Sequence, residues 1–450
     1  MSISFMLKKK ILFQIIKTLN PIDLWDYKVI QKLSIFDRIL FIIKSLYRFS
    51  LDRNIGHLKF GIINIFLLIK HFMLNIFAVL FLPFAIILYF FNFKFLHVSY
   101  WQIGTLAFQV DILIKQILIE NKNINLKKII FICPKNYDSN IGITDLYKKK
   151  ITVIQNTFIG LFLMPFLQIP KITINPYFIE HNIPYSKSHK IYSEYEEKID
   201  EPLFHYTVEE KKYYNEILNK KIPYFKDKKI ICIHLRNENF YKESGLTSRN
   251  ADFSNYKDSI NFLEKKGFFI IKFTDKISSF KSDNFFELTT NNLLDKRLQV
   301  YLVSKCEFFI VTPSGPSFLA NLFKKPSLCT NFFPHSQIIG YNKMDITIPK
   351  KVFSKLTNTY LTFSQIFSDK TFLIASARIL EKYNLEVQQN SSESILEGVK
   401  EMLINLNKNS NEPTTNQINF KNIVSRKAGC FYGQGQVSQA FLTKNSDIIK

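Results

Sequence analysis

Apolar residues occur in two textures along this chain. Near the N-terminus they form long runs, and beyond them they form short blocks between polar segments. Residues 1–60 mix basic and apolar positions. Lys8-Lys9-Lys10 precede an apolar stretch, but Gln14 and Lys17 interrupt it and no small-residue cleavage site follows. That pattern predicts amphipathic helices rather than a signal peptide. Gly61–Ile69 is apolar except for Asn64, and after Lys70-His71 the run Phe72–Phe93 carries no charge. As one helix, its length of roughly 33 Å would cover a bilayer core of about 30 Å. A buried core helix rarely runs so far without a polar face, so membrane contact is the expectation. Lysines and arginines flank the run on both sides. The positive-inside rule therefore favours neither orientation, and a hairpin or an in-plane helix kinked near Pro83 fits as well.

From Lys94 onward the period changes. Phe95–Tyr100, Lys127–Cys133, Lys150–Gln155 and Lys171–Ile174 read as strands, with a helix over Thr105–Ile119. A polar, Tyr-rich connection follows over residues 184–225. Further strands are expected at Lys229–Leu235, Gly267–Phe273, Phe285–Leu288, Glu307–Thr312 and Ser327–Asn331. The helices between and after them fall at Ser254–Lys266, Leu293–Ser304, Ser317–Phe323, Ser368–Tyr383 and Glu393–Leu406. Asn407–Asn422 reads as a loop. Apolar strands alternating with helices predict parallel, doubly wound sheets, hence an α/β fold of two Rossmann-like units. The expected divisions are 1–60 (basic N-terminal region), 61–93 (hydrophobic membrane segment), 94–225 (first Rossmann-like domain), 226–375 (second) and 376–450 (helices and tail).

Composition narrows the function classes. The 450 residues include 47% hydrophobic positions, so the chain can build large cores and is not disordered. The net charge of +23 comes almost wholly from lysine, with arginine only at positions 38, 48, 53, 236, 249, 297, 378 and 426. The lysines are dispersed, and no zinc-finger, helix-turn-helix or RNP-like pattern appears, which argues against a nucleic-acid binder. Residues 1–60, with 11 basic and 4 acidic side chains, suit an anionic membrane surface. The cysteines, at 133, 232, 306, 329 and 430, include no C-x-x-C pair. They read as reduced thiols. No metal-ligand spacing and no D-x-D motif appears, so no metal or other cofactor is expected.

Three segments fall at predicted strand ends, where open α/β sheets bind ligands. The first is Ile231–Arg236, which ends in His234 and Arg236 on one side by alternation. Asn237, Glu238, Tyr241, Arg249, Asn250 and Asp252 follow. An Arg fork at a strand end suits a diphosphate, and the structural alternative is an Arg paired with Glu238 or Asp252. The second is Ile310–Ser317, a strand, a small-residue turn with Ser314 and Gly315, and a helix with Ser317 as N-cap. Such a helix start attracts an anion, although an ordinary capped turn reads the same. The third is Tyr100–Thr105, where Gly104 and Thr105 follow the first strand. The fragment Gly433-Gln434-Gly435 follows no strand and carries little weight.

In order, Ile103-Gly104-Thr105-Leu106-Ala107, His234-Leu235-Arg236, Tyr241, Arg249-Asn250, Tyr256, Gly267-Phe268, Cys306-Glu307-Phe308, Ser314-Gly315, Phe323-Lys324-Lys325-Pro326 and Ala440–Asn445 resemble a family of bacterial glycosyltransferases. That family has GT-B architecture and is found with surface-polysaccharide genes. The resemblance covers roughly residues 95–450. The H-x-R strand end is also similar to that of fucosyltransferase-like GT-B enzymes, whose Arg holds the nucleotide-sugar diphosphate. Two positions depart from the family. Thr105 stands where Gly-His-Leu-Ala is frequent, and Lys272-Phe273-Thr274-Asp275 stands where Arg-x-Gly is common, a point charge in place of a fork.

The resemblance implies a metal-independent glycosyltransferase that moves a sugar from a nucleotide-sugar donor to a glycan or lipid-linked acceptor. It would work at the cytoplasmic face of a bacterial inner membrane, with the second domain holding the donor and the first the acceptor. Arg236 and Arg249 would neutralise the diphosphate. The Ser314–Ser317 backbone would cradle a phosphate, and Gly104, Thr105, Asn250 and Tyr241 would bind substrate. His234 would orient the leaving group or support Arg236. If the reaction inverts, Glu238 and Asp252 are both candidate bases. The rival reading is a membrane-tethered sugar- or nucleotide-binding protein without turnover.

Overall fold

The computed structural model of the chain describes residues 72–120, 124–135, 138–174, 186–222, 228–236, 247–275, 277–335, 340–368, 380–381, 383–426 and 428–449, with Ile65 and Ile69. The expected amphipathic helices of 1–60, the helix over Ser368–Tyr383 except its last turn, and the candidates Glu238 and Tyr241 lie outside the described residues.

The fold is mixed α/β with parallel sheets, and it divides into two compact units. The first comprises residues up to Gln102, Ile124–Ser139 and Tyr147–Pro176. Its strands are β1 (Lys94–Leu96), β2 (Ile129–Ile132), β3 (Thr152–Ile154) and β4 (Thr173–Ile174). They form a parallel sheet in the order β3-β2-β1-β4. Phe95 and Ile132 from the sheet pack with Phe166, Leu167 and Ile172 into the unit's core.

The uncharged run ahead of β1 is not one helix. Phe72–Leu80 and Leu82–Phe90 are separate helices bent by 64°. Pro83 lies in the first turn of the second helix, where its missing N–H costs least and its ring blocks continuation from the preceding turn. Among the described residues no single helix is long and apolar enough to cross a membrane. This corrects the single 22-residue span that hydropathy alone allowed.

The second unit comprises Ile103–Asn123, Asn140–Leu146 and Tyr177–Lys450. It holds β5 (Ile230–His234), β6 (Phe269–Thr274), β7 (Phe285–Thr289), β8 (Phe308–Val311), β9 (Ser327–Phe332) and β10 (Ile346–Pro349). An antiparallel trio follows, β11 (Lys351–Ser354), β12 (Thr359–Tyr360) and β13 (Leu385–Gln388), and then β14 (Gln436–Val437). The seven parallel strands run in the order β14-β10-β9-β8-β5-β6-β7. The chain lays down β5, β6 and β7 outward in one direction, then returns to the other side of β5 and adds β8, β9 and β10 outward. The reversal between β5 and β8 is the topological switch point, where the connections diverge and open a crevice beyond the strand ends.

The core explains this pattern. β5, β6 and β8 are covered on both faces, so nearly every residue in them is apolar and buried. Ile231, Ile233, Ile310 and Leu328 pack with Ile260 and Leu263 of the helix Lys257–Lys265 and with Ile395, Val399 and Met402 of Ser392–Lys408.

Three local readings are corrected. The helix over Ser254–Lys266 begins as a 3₁₀ turn, Phe253–Tyr256, and becomes α-helical at Lys257. The helix after β8 also starts as a 3₁₀ turn, Gly315–Phe318, and is α-helical only over Leu319–Leu322. The Asn407–Asn422 loop contains the start of a helix, Thr415–Ile423. Thr414 and Gln417 form its capping box, and Phe420 anchors it in the core. Gly435 belongs to no phosphate loop. A Cβ there would lie 2.9 Å from the Cβ of buried Asp345, so the glycine permits the close pass of the chain into β14.

Candidate functional site

β5 and β8 pair in register from Ile231↔Phe308 to His234↔Val311, so the residues after His234 and Val311 emerge side by side. Beyond the ladder, Thr312 N donates to His234 O at 3.2 Å and Arg236 N donates to Thr312 Oγ1 at 2.9 Å. Ala251 N donates to Arg236 O at 3.0 Å. The backbone of Arg236 is thus held from both sides, and its side chain is buried at the strand end.

His234 Nδ1 lies 3.2 Å from Ser314 Oγ, and that hydroxyl donates to Thr312 O at 3.0 Å. Burial pushes the imidazole down to about 4. His234 is therefore neutral at pH 7, so it offers a hydrogen bond and no positive charge.

Arg249 directs Nε and Nη2 at one acceptor, Pro313 O, at 3.1 and 2.6 Å. Its guanidinium clips the turn after β8 to the segment that follows β5. Arg249 thus brings a cation beside the turn and also fixes the turn's position. Ser314, not Ser317, is the N-cap residue, and Ser317 Oγ donates back to Ser314 O at 2.6 Å. The sequence misplaces the cap by three residues because the helix opens with a 3₁₀ turn that already starts at Gly315.

Gly104 and Gly315 are in backbone contact. A Cβ on Gly104 would lie 2.8 Å from Gly315 Cα, and one on Gly315 would lie 2.6 Å from Gly104 N. Both belong to the second unit. The helix Ile103–Ile119 therefore starts against the turn that follows β8, with Thr105 in its first turn. Asn250 is half-buried beside Arg249.

Asp252 is exposed and caps the 3₁₀ turn Phe253–Tyr256, its Oδ1 accepting from Ser254 N at 2.8 Å. Lys272, at the position where the related pattern carries Arg, pairs with Glu287 at 2.6 Å and lies 4.0 Å over the Phe253 ring. Its charge is used between β6 and β7. Among the described residues no group of three or more His, Cys, Asp or Glu side chains is gathered as metal ligands would be.

One residue of the site escaped the sequence reading. Lys350, just past β10, is buried and donates to Ser248 O at 2.9 Å and Asn250 O at 2.8 Å, the carbonyls on either side of Arg249. Burial pulls its ammonium down to about 8, so it remains largely charged at pH 7. His335 Nε2 lies 2.7 Å from Lys350 O, which fixes the lysine's own backbone. Lys350→Met is expected to leave the buried Ser248 carbonyl and the part-buried Asn250 carbonyl without this donor and to cost about 2 kcal/mol. Urea unfolding at pH 7 checks this.

No family model matches the chain, and no curated protein matches it. Solved structures similar to it include the following. The iron-containing dodecameric glycosyltransferase TibC of enterotoxigenic E. coli H10407 is 12% identical over 53% of this chain, with a TM-score of 0.28, and the chain spans 57% of that protein. The glycosyl transferase family 9 structure from Veillonella parvula DSM 2008 is 10% identical, covering 69% of this chain and 97% of the other, with a TM-score of 0.39. The E. coli ADP-heptose LPS heptosyltransferase II is 12% identical, covering 69% and 98%, with a TM-score of 0.37.

Proposed function

We propose that the second unit binds a nucleotide-sugar at the crevice beyond β5 and β8 and transfers its sugar to a glycan or lipid-linked acceptor in surface-polysaccharide synthesis, at the cytoplasmic face of a bacterial inner membrane. The observation that carries this reading is the convergence at the switch point. His234 and Arg236 from one strand end, Ser314 and Gly315 from its neighbour, Arg249, and the helix start at Gly104 all meet where a doubly wound sheet receives a nucleotide.

In that reading the breaking glycosidic bond leaves negative charge on the departing diphosphate. Arg236 meets that charge from a buried, backbone-pinned position, which preorganises it before the reaction. Arg249 adds a second cation while holding the turn. Ser314–Ser317 and the first turn of Ile103–Ile119 add the positive ends of two backbone segments. Neutral His234 holds the Ser314 hydroxyl in place. Each such preorganised donor lowers the barrier by roughly 3 kcal/mol. A base that deprotonates the acceptor hydroxyl would come from Glu238 or Asp252. Of these, Asp252 is exposed and gives one carboxylate oxygen to its cap.

A nucleotide-sugar panel incubated with the purified full-length protein and analysed by mass spectrometry tests the reading. Release of free nucleoside diphosphate from one donor, with transfer or hydrolysis of its sugar, is the expected result. Binding of a donor with no turnover would favour a non-catalytic nucleotide-sugar-binding protein.

A further inference from the structure

We propose that the helix Thr157–Leu163 joins the bent pair Phe72–Leu80 and Leu82–Phe90 in a single docking face for an anionic phospholipid leaflet. This rests on the membrane association in the preceding reading and not on its transfer chemistry.

Leu82–Phe90 and the Thr157–Leu163 segment share one core, which Phe81 joins at the break of the pair, and all three helices expose large apolar side chains. Ala85 is buried in the core of the first unit, with Phe81 and Leu88 beside it. Leu163 and Phe166 enter the same core from the segment after Thr157, and the Phe81 ring meets Phe162 and Phe166 edge-on at 5.1 and 5.3 Å. With that inner face satisfied, a helix facing water would turn polar side chains outward. These helices do the opposite. Phe84 and Phe90 are 60% and 76% exposed on the second helix of the pair, and Phe158 and Phe162 are 83% and 63% exposed on the third. Residues 72–93 contain no charge at all, and Thr157 is the sole polar residue of Thr157–Leu163. A continuous apolar surface of this kind marks a membrane or partner contact.

The charges around it select a lipid. Among the described residues of the first unit there are eight lysines, and the single acidic residue, Asp138, is buried. Lys94 Nζ donates to Lys171 O at 2.8 Å and lies 5.3 Å from the Tyr89 ring. Lys128 Nζ donates to Phe91 O at 2.9 Å and lies 5.8 Å from the Phe93 ring. Ammonium groups therefore border the aromatic end of the face. Lysines and tyrosines take this arrangement at a membrane–water boundary, with stems on apolar surface and heads toward lipid phosphates. Each helix of the pair is about 14 Å long, less than half of a core of about 30 Å. The 64° bend also turns them away from a common axis. In-plane docking uses all three helices, whereas a crossing would use two.

Flotation of the full-length protein with phosphatidylethanolamine/phosphatidylglycerol vesicles, and with phosphatidylcholine vesicles, tests the inference. Wild type is expected to partition at least fivefold more strongly onto the anionic vesicles. Phe158→Glu/Phe162→Glu is expected to lower that partition at least tenfold while leaving nucleoside diphosphate affinity unchanged. Equal flotation of the double variant and wild type would overturn the role of Thr157–Leu163, and equal partition onto both lipids would overturn the anionic commitment. A wild type that binds neither vesicle would instead overturn the membrane association itself. A second variant keeps the test open if the charged one misfolds. Phe158→Trp should be quenched by brominated acyl chains beyond the quenching of the two native tryptophans, and no added quenching would overturn the inference.

Discussion

Gly315→Ala is expected to destabilise the protein by about 3 kcal/mol and to abolish nucleoside diphosphate binding with it. The new Cβ would lie 2.6 Å from Gly104 N, 3.1 Å from Gly104 Cα and 2.7 Å from Ile103 Cγ2. Two of those obstacles are backbone atoms at the start of a 17-residue helix, so relief requires moving the helix or the turn. Overpacking usually costs about 1–3 kcal/mol, and an immovable neighbour puts this case at the upper end. Either movement separates the two backbone segments that the proposed phosphate site brings together. Gly267 is the control. It has φ +86° and open space around its missing Cβ, so its alanine variant should cost only the left-handed backbone penalty of about 1 kcal/mol and leave binding intact. Urea unfolding and ligand titration of both variants check the pair. Equal losses of stability would contradict the steric account.

Lys115→Met should cost about 3–5 kcal/mol, the usual effect of stranding one partner of a buried ion pair. Lys115 and Asp111 are one turn apart on Ile103–Ile119, 2.9 Å from each other and with no exposed side-chain surface. The Lys115 ammonium also donates to Asn321 O at 3.0 Å and lies 4.4 Å over the Tyr192 ring, whose hydroxyl donates to Asp111 at 2.6 Å. Burial drives the Asp111 carboxyl above its ordinary range even though Lys115 and Tyr192 oppose the shift. Without the lysine the carboxylate has no compensating cation, and the helix loses its tie to the segment after the Ser314–Ser317 turn. Asp111→Asn/Lys115→Met should recover part of the loss, since removing both charges removes the desolvation penalty. A double-mutant cycle in urea measures the coupling. A single Lys115→Met loss under about 0.5 kcal/mol would show that the pair does not hold the helix.

The sequence disclosed those parts of the fold whose cause is local. β5, β6 and β8 are read from continuous apolar runs because parallel strands are buried on both faces. The positions of His234, Arg236 and Ser314 at strand ends follow directly from where those runs stop. β10 is not legible because Ile346-Thr347-Ile348-Pro349 is short and ends in proline, which usually excludes a strand interior. The helix Thr415–Ile423 was missed because its few inward positions, Gln417 and Phe420, lie among polar residues. The bend at Phe81 was anticipated only as one option, since Pro83 can start a helix as readily as kink one.

At the site, the hidden part is the set of contacts to backbone. Lys350 and Lys115 are positioned by the carbonyls of Ser248, Asn250 and Asn321, and Arg249 by that of Pro313. Every residue carries a carbonyl, so nothing in the sequence marks which ones a distant cation will meet. The contact of Gly104 with Gly315 is hidden for a related reason. Each glycine reads locally as a turn, and only the fold shows that their missing side chains make room for one another.

The most direct measurement of the donor site is calorimetric titration of uridine, adenosine, guanosine and cytidine diphosphates into wild type and Arg236→Ala. The account predicts that wild type binds one of these ligands and that the variant binds it about a hundredfold more weakly, a loss close to 3 kcal/mol. Equal affinity in the two proteins would contradict it.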